Sequence, residues 1–120
     1  MKTIILADDE SNLRTLLHTT LDDPEYRILE AADGAAALAL ARQEHPDLLV
    51  TDWTMPRMSG LEVMQALRQD PTTAHIPIIM LTARGQEMEK QQGVTMGAYA
   101  YLVKPFSPLE LLEKVQEILG

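Results

Sequence analysis

The sequence predicts an α/β domain, doubly wound, in which five parallel strands alternate with five helices. Three observations predict it. Short, continuous apolar runs such as Ile78–Leu81 read as strands buried on both faces. Between these runs lie stretches with apolar residues at helical spacing. Caps and stop residues mark the junctions. At 120 residues the chain has the length of one domain.

Thr3 to Ala7 is the first strand, followed by Asp8-Asp9-Glu10. A helix is expected from Ser11 to Leu21, with Leu13, Leu16, Leu17 and Leu21 forming one apolar stripe. Asp22-Asp23-Pro24 stops it. Arg27 to Ala31 is a strand of mixed polarity, which places it near a sheet edge. Asp33 is the expected N-cap of an alanine-rich helix from Gly34 to Glu44, ended by His45-Pro46-Asp47. Leu48 to Thr51 is the third strand. Ser59 caps a helix from Gly60 to about Gln69, and Ile78 to Leu81 is the fourth strand.

The next helix, over 86–96, is weakly amphipathic. Its apolar residues are Met88, Val94 and Met96, and Gly93 costs it ~1 kcal/mol relative to alanine. Gly97 is the expected stop. Tyr99 to Val103 is the fifth strand. Ser107-Pro108-Leu109-Glu110 reads as a capping box with proline at the first helical position. Leu111, Leu112, Val115, Ile118 and Leu119 share one face of the last helix.

Bulk properties exclude several classes. A net charge of −8 repels phosphate backbones, so nucleic-acid binding by this domain is not expected. No run approaches the roughly 20 apolar residues of a membrane span. The N-terminus enters a strand directly and is no signal peptide. The absence of cysteine excludes disulfide and thiolate chemistry and fits a cytoplasmic protein.

Open α/β sheets collect function at the carboxyl ends of their strands. Here the first strand ends in Asp8-Asp9, the third in Asp52, the fourth in Thr82 and the fifth in Lys104. Three carboxylates brought together repel one another unless a cation intervenes. A hard cation with oxygen ligands suits them, and Mg²⁺ suits them best where phosphate is involved. A carboxylate can attack phosphorus to form an acyl phosphate. A lysine and a hydroxyl can then neutralise and hydrogen-bond the transferred group. Taken singly, each residue has a plainer reading: acids after a strand cap helices, and a lone lysine before proline is a solvated charge. His18, His45 and His75 fall on no strand end and read as surface residues.

Four segments resemble the receiver domain of bacterial two-component response regulators, and with matching intervals the resemblance spans essentially the whole chain. They are Ala7-Asp8-Asp9-Glu10, Thr51-Asp52-Trp53-Thr54-Met55-Pro56-Arg57-Met58-Ser59-Gly60, Leu81-Thr82-Ala83 and Tyr101-Leu102-Val103-Lys104-Pro105-Phe106. The resemblance implies a flavodoxin-like strand order 2-1-3-4-5 and a single receiver domain over 1–120, with no output domain in the chain. It implies that Asp52 accepts a phosphoryl group from a phosphohistidine on a sensor histidine kinase or histidine phosphotransfer protein. Asp8, Asp9, Asp52 and the backbone carbonyl of Thr54 would hold Mg²⁺ or Mn²⁺. Thr82 and Lys104 would bind the phosphoryl oxygens, and Tyr101 would be the switch aromatic. Thr54 and Arg84 occupy positions that tune phosphoryl lifetime in that family. The Lys104–Pro105 bond matches one that is cis there.

The output would be altered binding of a downstream effector or output domain through the fourth helix, fifth strand and fifth helix, with a phosphorylation-dependent homodimer as one form. The domain is then a phosphoacceptor and not an enzyme in the usual sense. Few buried apolar contacts make an element cheap to move, so the helix over 86–96 is expected to change most.

Three other readings fit the architecture less well. A phosphatase with an aspartyl nucleophile needs a second acid two residues later, where this chain has Thr54. A flavin-binding domain would not place Asp8-Asp9-Glu10 beside a phosphate. A phosphorylation-independent interaction module has no need of the acidic set.

Overall fold

The computed structural model describes residues 1–83 and 97–120. Five strands form one parallel sheet: β1 (Lys2–Ala7), β2 (Tyr26–Ala31), β3 (Leu48–Asp52), β4 (Ile78–Ala83) and β5 (Ala100–Lys104). Their order is β2-β1-β3-β4-β5, as expected, so the mixed-polarity β2 is indeed an edge strand. The described helices are α1 (Ser11–Leu21), α2 (Gly34–Glu44), α3 (Gly60–Gln69) and α4 (Pro108–Leu119). The helix expected over 86–96 lies outside the described residues.

The helix ends follow local chemistry. Asp33 accepts a hydrogen bond from the Ala36 amide, satisfying one of the free donors at the start of α2. His45 closes α2 in the left-handed region at φ 47°. Ser59 with Glu62, and Ser107 with Glu110, form reciprocal capping boxes at α3 and α4. At α1 the N-cap position is held by Glu10 without a side-chain bond to the helix. Asp8 and Asp9 are therefore not consumed by capping.

Side chains alternate across each strand and sort into two cores. Ile5, Leu49, Ile78 and Met80 pack against α2 and α3 through Ala37, Leu38, Val63, Met64 and Leu67. Ile4, Leu6, Leu48, Val50, Ile79 and Leu81 pack against α1 and α4 through Leu17, Leu21, Leu111 and Val115. Burying each large aliphatic side chain contributes about 1.5–3 kcal/mol. The central strands β1, β3 and β4 are accordingly the fixed frame from which the loops at their carboxyl ends project.

Leu16 departs from the expected stripe. It is 50% exposed, while Leu17 and Leu21 are buried. Helical spacing gave the direction of the stripe, but no neighbouring helix covers its upper edge among the described residues. The third, fourth and fifth strands each reach beyond the expected end, to Asp52, Ala83 and Lys104. Those extensions carry three of the residues singled out for chemistry into the sheet itself.

Candidate functional site

The order of strands reverses around β1, which lies between β2 and β3, and the crevice of an open α/β sheet forms at such a point. Ala7 is in register with Thr51, so the next residues, Asp8 and Asp52, leave adjacent strands on the same face. Asp8 is fully buried and Asp52 nearly so, while Asp9 is exposed. Carboxylate oxygens of Asp8, Asp9 and Asp52 all lie within 4.8 Å of one another. Lys104 reaches across from β5, with Nζ donating to Asp52 Oδ2 at 2.9 Å and standing 3.6 Å from Asp8 Oδ2.

The electrostatics follow from this crowding. Burial pushes the Asp8 carboxyl above the usual carboxylate range. The Glu10 amide, donating to Asp8 Oδ1 at 2.8 Å, opposes that shift, and so does Lys104; Asp52 and Asp9 reinforce it. For Lys104, burial favours the neutral amine, but the hydrogen bond and charge of Asp52, with Asp8, carry the ammonium above its ordinary value. Asp8 Oδ2 is buried with no hydrogen-bond partner among the described residues, facing Lys104 Nζ only at 3.6 Å. An ionised oxygen left in that position is costly, and a cation bound among the three carboxylates would satisfy it. The donor set is all oxygen, which fits a hard divalent cation.

Thr82 is buried near the end of β4. Its neighbour Leu81 is the register partner of Asp52, so Thr82 stands one residue further along the adjacent strand. No hydrogen bond among the described residues joins it to the carboxylates or to Lys104. Tyr101 shares its face and packs against the α2–α3 core. Its hydroxyl is buried without a hydrogen-bond partner among the described residues, and burial pushes the phenol above its ordinary pKa. Thr54 is exposed in the loop after β3. Arg84 lies outside the described residues. The Lys104–Pro105 bond is cis, as the resemblance implied.

Several contributors are visible only in three dimensions. The Gly60 amide donates to the Trp53 carbonyl at 2.7 Å, and a methyl group on Gly60 would overlap the carbonyl oxygen of Asp52. A methyl on Gly34 would likewise overlap the carbonyl of Met58. Arg57, at φ 72°, pairs with Asp33 at 3.3 Å. The loop after Asp52 is thus seated on the first turns of α2 and α3. The sequence signal was glycine at the first position of both helices, where a better helix former would normally stand. An apolar groove of about 500 Å³ opens beside the site, lined by Leu13, Leu16, Phe106 and Pro105 with Glu10 and Lys104.

The fold and this acidic strand-end site are those of a receiver-type α/β domain. Residues 4–116 match the family model for the response regulator receiver domain. The chain is 42% identical over 118 residues to the phosphate regulon transcriptional regulatory protein PhoB of Pseudomonas aeruginosa, covering 98% of this chain and 52% of that protein. It is 45% identical over 116 residues to the probable transcriptional regulator ycf27 of Galdieria sulphuraria, covering 97% of this chain and 44% of that one. The structure of the chemotaxis response regulator CheY4 of Vibrio cholerae superposes with a TM-score of 0.90 at 38% identity, covering 99% of both chains. The chain belongs to the receiver-domain family of two-component response regulators. It spans about half the length of the curated relatives it matches. None of its described helices is long and apolar enough to cross a membrane.

Proposed function

We propose that this domain is a phosphoacceptor. In this reading a carboxylate oxygen of Asp52 attacks the phosphorus of a phosphohistidine on a sensor histidine kinase or histidine phosphotransfer protein. A P–O bond forms, the P–N bond breaks, and its electron pair stays on the imidazole nitrogen. The observation that carries the reading is the position of Asp52: within reach of two further carboxylates and 2.9 Å from an ammonium. Lys104 holds the acceptor oxygen before transfer and is placed to neutralise an incoming phosphoryl oxygen afterwards. Asp8, Asp9, Asp52 and the Thr54 carbonyl would hold Mg²⁺ or Mn²⁺, which when bound supplies neutralising charge for the phosphoryl group.

A phosphohistidine arrives on a protein, so the donor needs a surface beside Asp52. The groove of Leu13, Leu16 and Phe106 supplies one, and Lys104 is common to groove and site. Thr82, on the same sheet face as Tyr101, would bind a phosphoryl oxygen and so link acceptance to the Tyr101 side chain. The output would pass through the 86–96 segment, β5 and α4 to an effector or output domain, or to a second copy of the chain. Arg84 and Thr54 would tune how long the acyl phosphate survives.

The test follows Trp53, which is 6% exposed and adjacent to Asp52. Mg²⁺ and then beryllofluoride should each change its fluorescence, and acetyl phosphate should label the protein with acid-stable, base-labile phosphate. Asp52→Asn should abolish the label. An equal phosphoryl response in Asp52→Asn overturns the assignment.

A further inference from the structure

We infer that Arg14 is a positioning residue for the acidic site, clamping the Asp8–Asp9 peptide so that the exposed Asp9 carboxylate is presented to a divalent cation. The inference rests on the cation-binding reading above.

The clamp is read from contacts. Arg14 Nη1 donates to the backbone carbonyl of Asp8 at 2.7 Å, and its Nε donates to Glu30 Oε1 at 2.9 Å. Glu30 stands on the edge strand β2, and its other oxygen lies 2.6 Å from His18 Nδ1. Arg14 and His18 are one turn apart on α1, so two side chains of one helix grip one carboxylate on β2. The remaining face of the guanidinium fork points at Asp8.

The Asp8 carbonyl belongs to the same planar unit as the Asp9 amide. Fixing that plane fixes the direction in which Asp9 leaves the chain. Asp8 itself is held independently, by burial, by the hydrogen bond its backbone amide donates to the Ala31 carbonyl at 3.1 Å and by the Glu10 amide donating to Oδ1. Asp9 has no such anchor: its carboxylate has no hydrogen bond or ion pair among the described residues. Its place among the three carboxylates depends on the backbone that Arg14 holds. Arginine suits this role because its planar fork serves two acceptors at once, which a lysine ammonium does not reproduce. Supporting groups of this kind alter metal affinity by about 10–100-fold when removed.

The sign of the effect separates positioning from charge. A cation near an anionic site weakens metal binding by repulsion, so deleting the Arg14 charge alone would tighten Mg²⁺ binding. Loss of the clamp weakens it. Mg²⁺ titration of the full chain, read by Trp53 fluorescence, should give about tenfold weaker binding for Arg14→Met. Arg14→Lys, which keeps the charge, should be weaker by several-fold. Arg27→Met, which removes an ion pair between β2 and α2 remote from Asp8, should match the wild type. Thermal unfolding in EDTA reports stability separately. Arg14→Met binding Mg²⁺ as tightly as wild type or more so overturns the inference, as does a lowered unfolding midpoint with unchanged Mg²⁺ affinity. If Arg14→Met does not fold, Arg14→Lys decides by the same two readings. A wild-type chain with no Mg²⁺ response in fluorescence or in unfolding midpoint overturns the cation-binding reading itself, and this inference with it.

Discussion

Lys104 Nζ and Asp52 Oδ2 lie 2.9 Å apart, joining the last strand to the third across 52 residues of sequence. The ammonium offsets the like-charge repulsion among Asp52, Asp8 and Asp9. Asp52 and Asp8 hold the Lys104 pKa above its ordinary value, so the associated stability is complete below the unfolded value near 10.4 and is lost as pH rises through the folded one. Lys104→Gln should therefore destabilise the metal-free protein at pH 7, by about 1–2 kcal/mol after allowance for its partial exposure. Mg²⁺ should bind more tightly to the variant, because no ammonium competes for the carboxylates. Beryllofluoride should bind more weakly, because its fluorides lose a donor. Denaturant unfolding in EDTA and the two titrations check the three directions.

Asp8 has the opposite linkage. Its folded pKa is raised, chiefly by burial, so the native state binds this proton more tightly than the unfolded chain does. The resulting penalty is absent below about pH 3.9 and fully present once pH exceeds the raised value. In EDTA at pH 7, Asp8→Asn should be more stable than wild type. The gain should shrink as pH falls towards 4. Saturating Mg²⁺ should reverse the ranking, since only the wild type gains the full binding term. Urea midpoints at several pH values, with and without Mg²⁺, test both the slope and the reversal.

The residues legible in the sequence were those whose roles are local or terminal. Asp33, Ser59 and Ser107 cap helices through bonds to residues three positions on, so the pattern and the structure contain the same information. Asp8, Asp52 and Lys104 were legible because each ends an apolar strand, and a parallel sheet aligns such ends. Leu16 belongs to the apolar stripe yet is exposed, because periodicity gives the direction of a helical face and not the element that covers it. The bond between Arg14 and Glu30 leaves no mark in the sequence, because it joins a helix to an edge strand 16 residues away and matches no short motif. Tyr101 could be matched to a position, but nothing in its neighbours revealed a buried hydroxyl without a partner among the described residues.

Gly60 ties Asp52 to the start of α3. Its place against the Asp52 carbonyl leaves no room for a side chain, and the obstructing atom is backbone, which yields only if β3 or α3 shifts. Gly60→Ala should lower stability by about 1–3 kcal/mol, the usual range for overpacking, although alanine is the better helix former by up to ~1 kcal/mol. The displacement falls on Asp52, whose carboxylate pairs with Lys104. Mg²⁺ affinity should fall with stability in this variant. A Gly60→Ala protein with wild-type unfolding and wild-type Mg²⁺ binding would show that the loop accommodates the methyl group freely.

Tyr101 stores an unfavourable term in the folded, metal-free protein. Its hydroxyl is buried and has no hydrogen-bond partner among the described residues, while its ring packs against the α2–α3 core. An unsatisfied buried hydroxyl costs about 1–3 kcal/mol, and phenylalanine keeps the ring without that group. Tyr101→Phe should therefore raise the stability of the metal-free protein, by about 1 kcal/mol, without changing the denaturant m-value. The same term makes the inward position of the tyrosine cheap to leave and leaves its hydroxyl free for a new partner. Removing it should make the resting arrangement harder to disturb, so the Trp53 response to beryllofluoride should need a higher concentration in Tyr101→Phe than in wild type. A lower unfolding midpoint for the variant would show instead that the hydroxyl contributes a bond in solution, and that its burial is no reserve for switching.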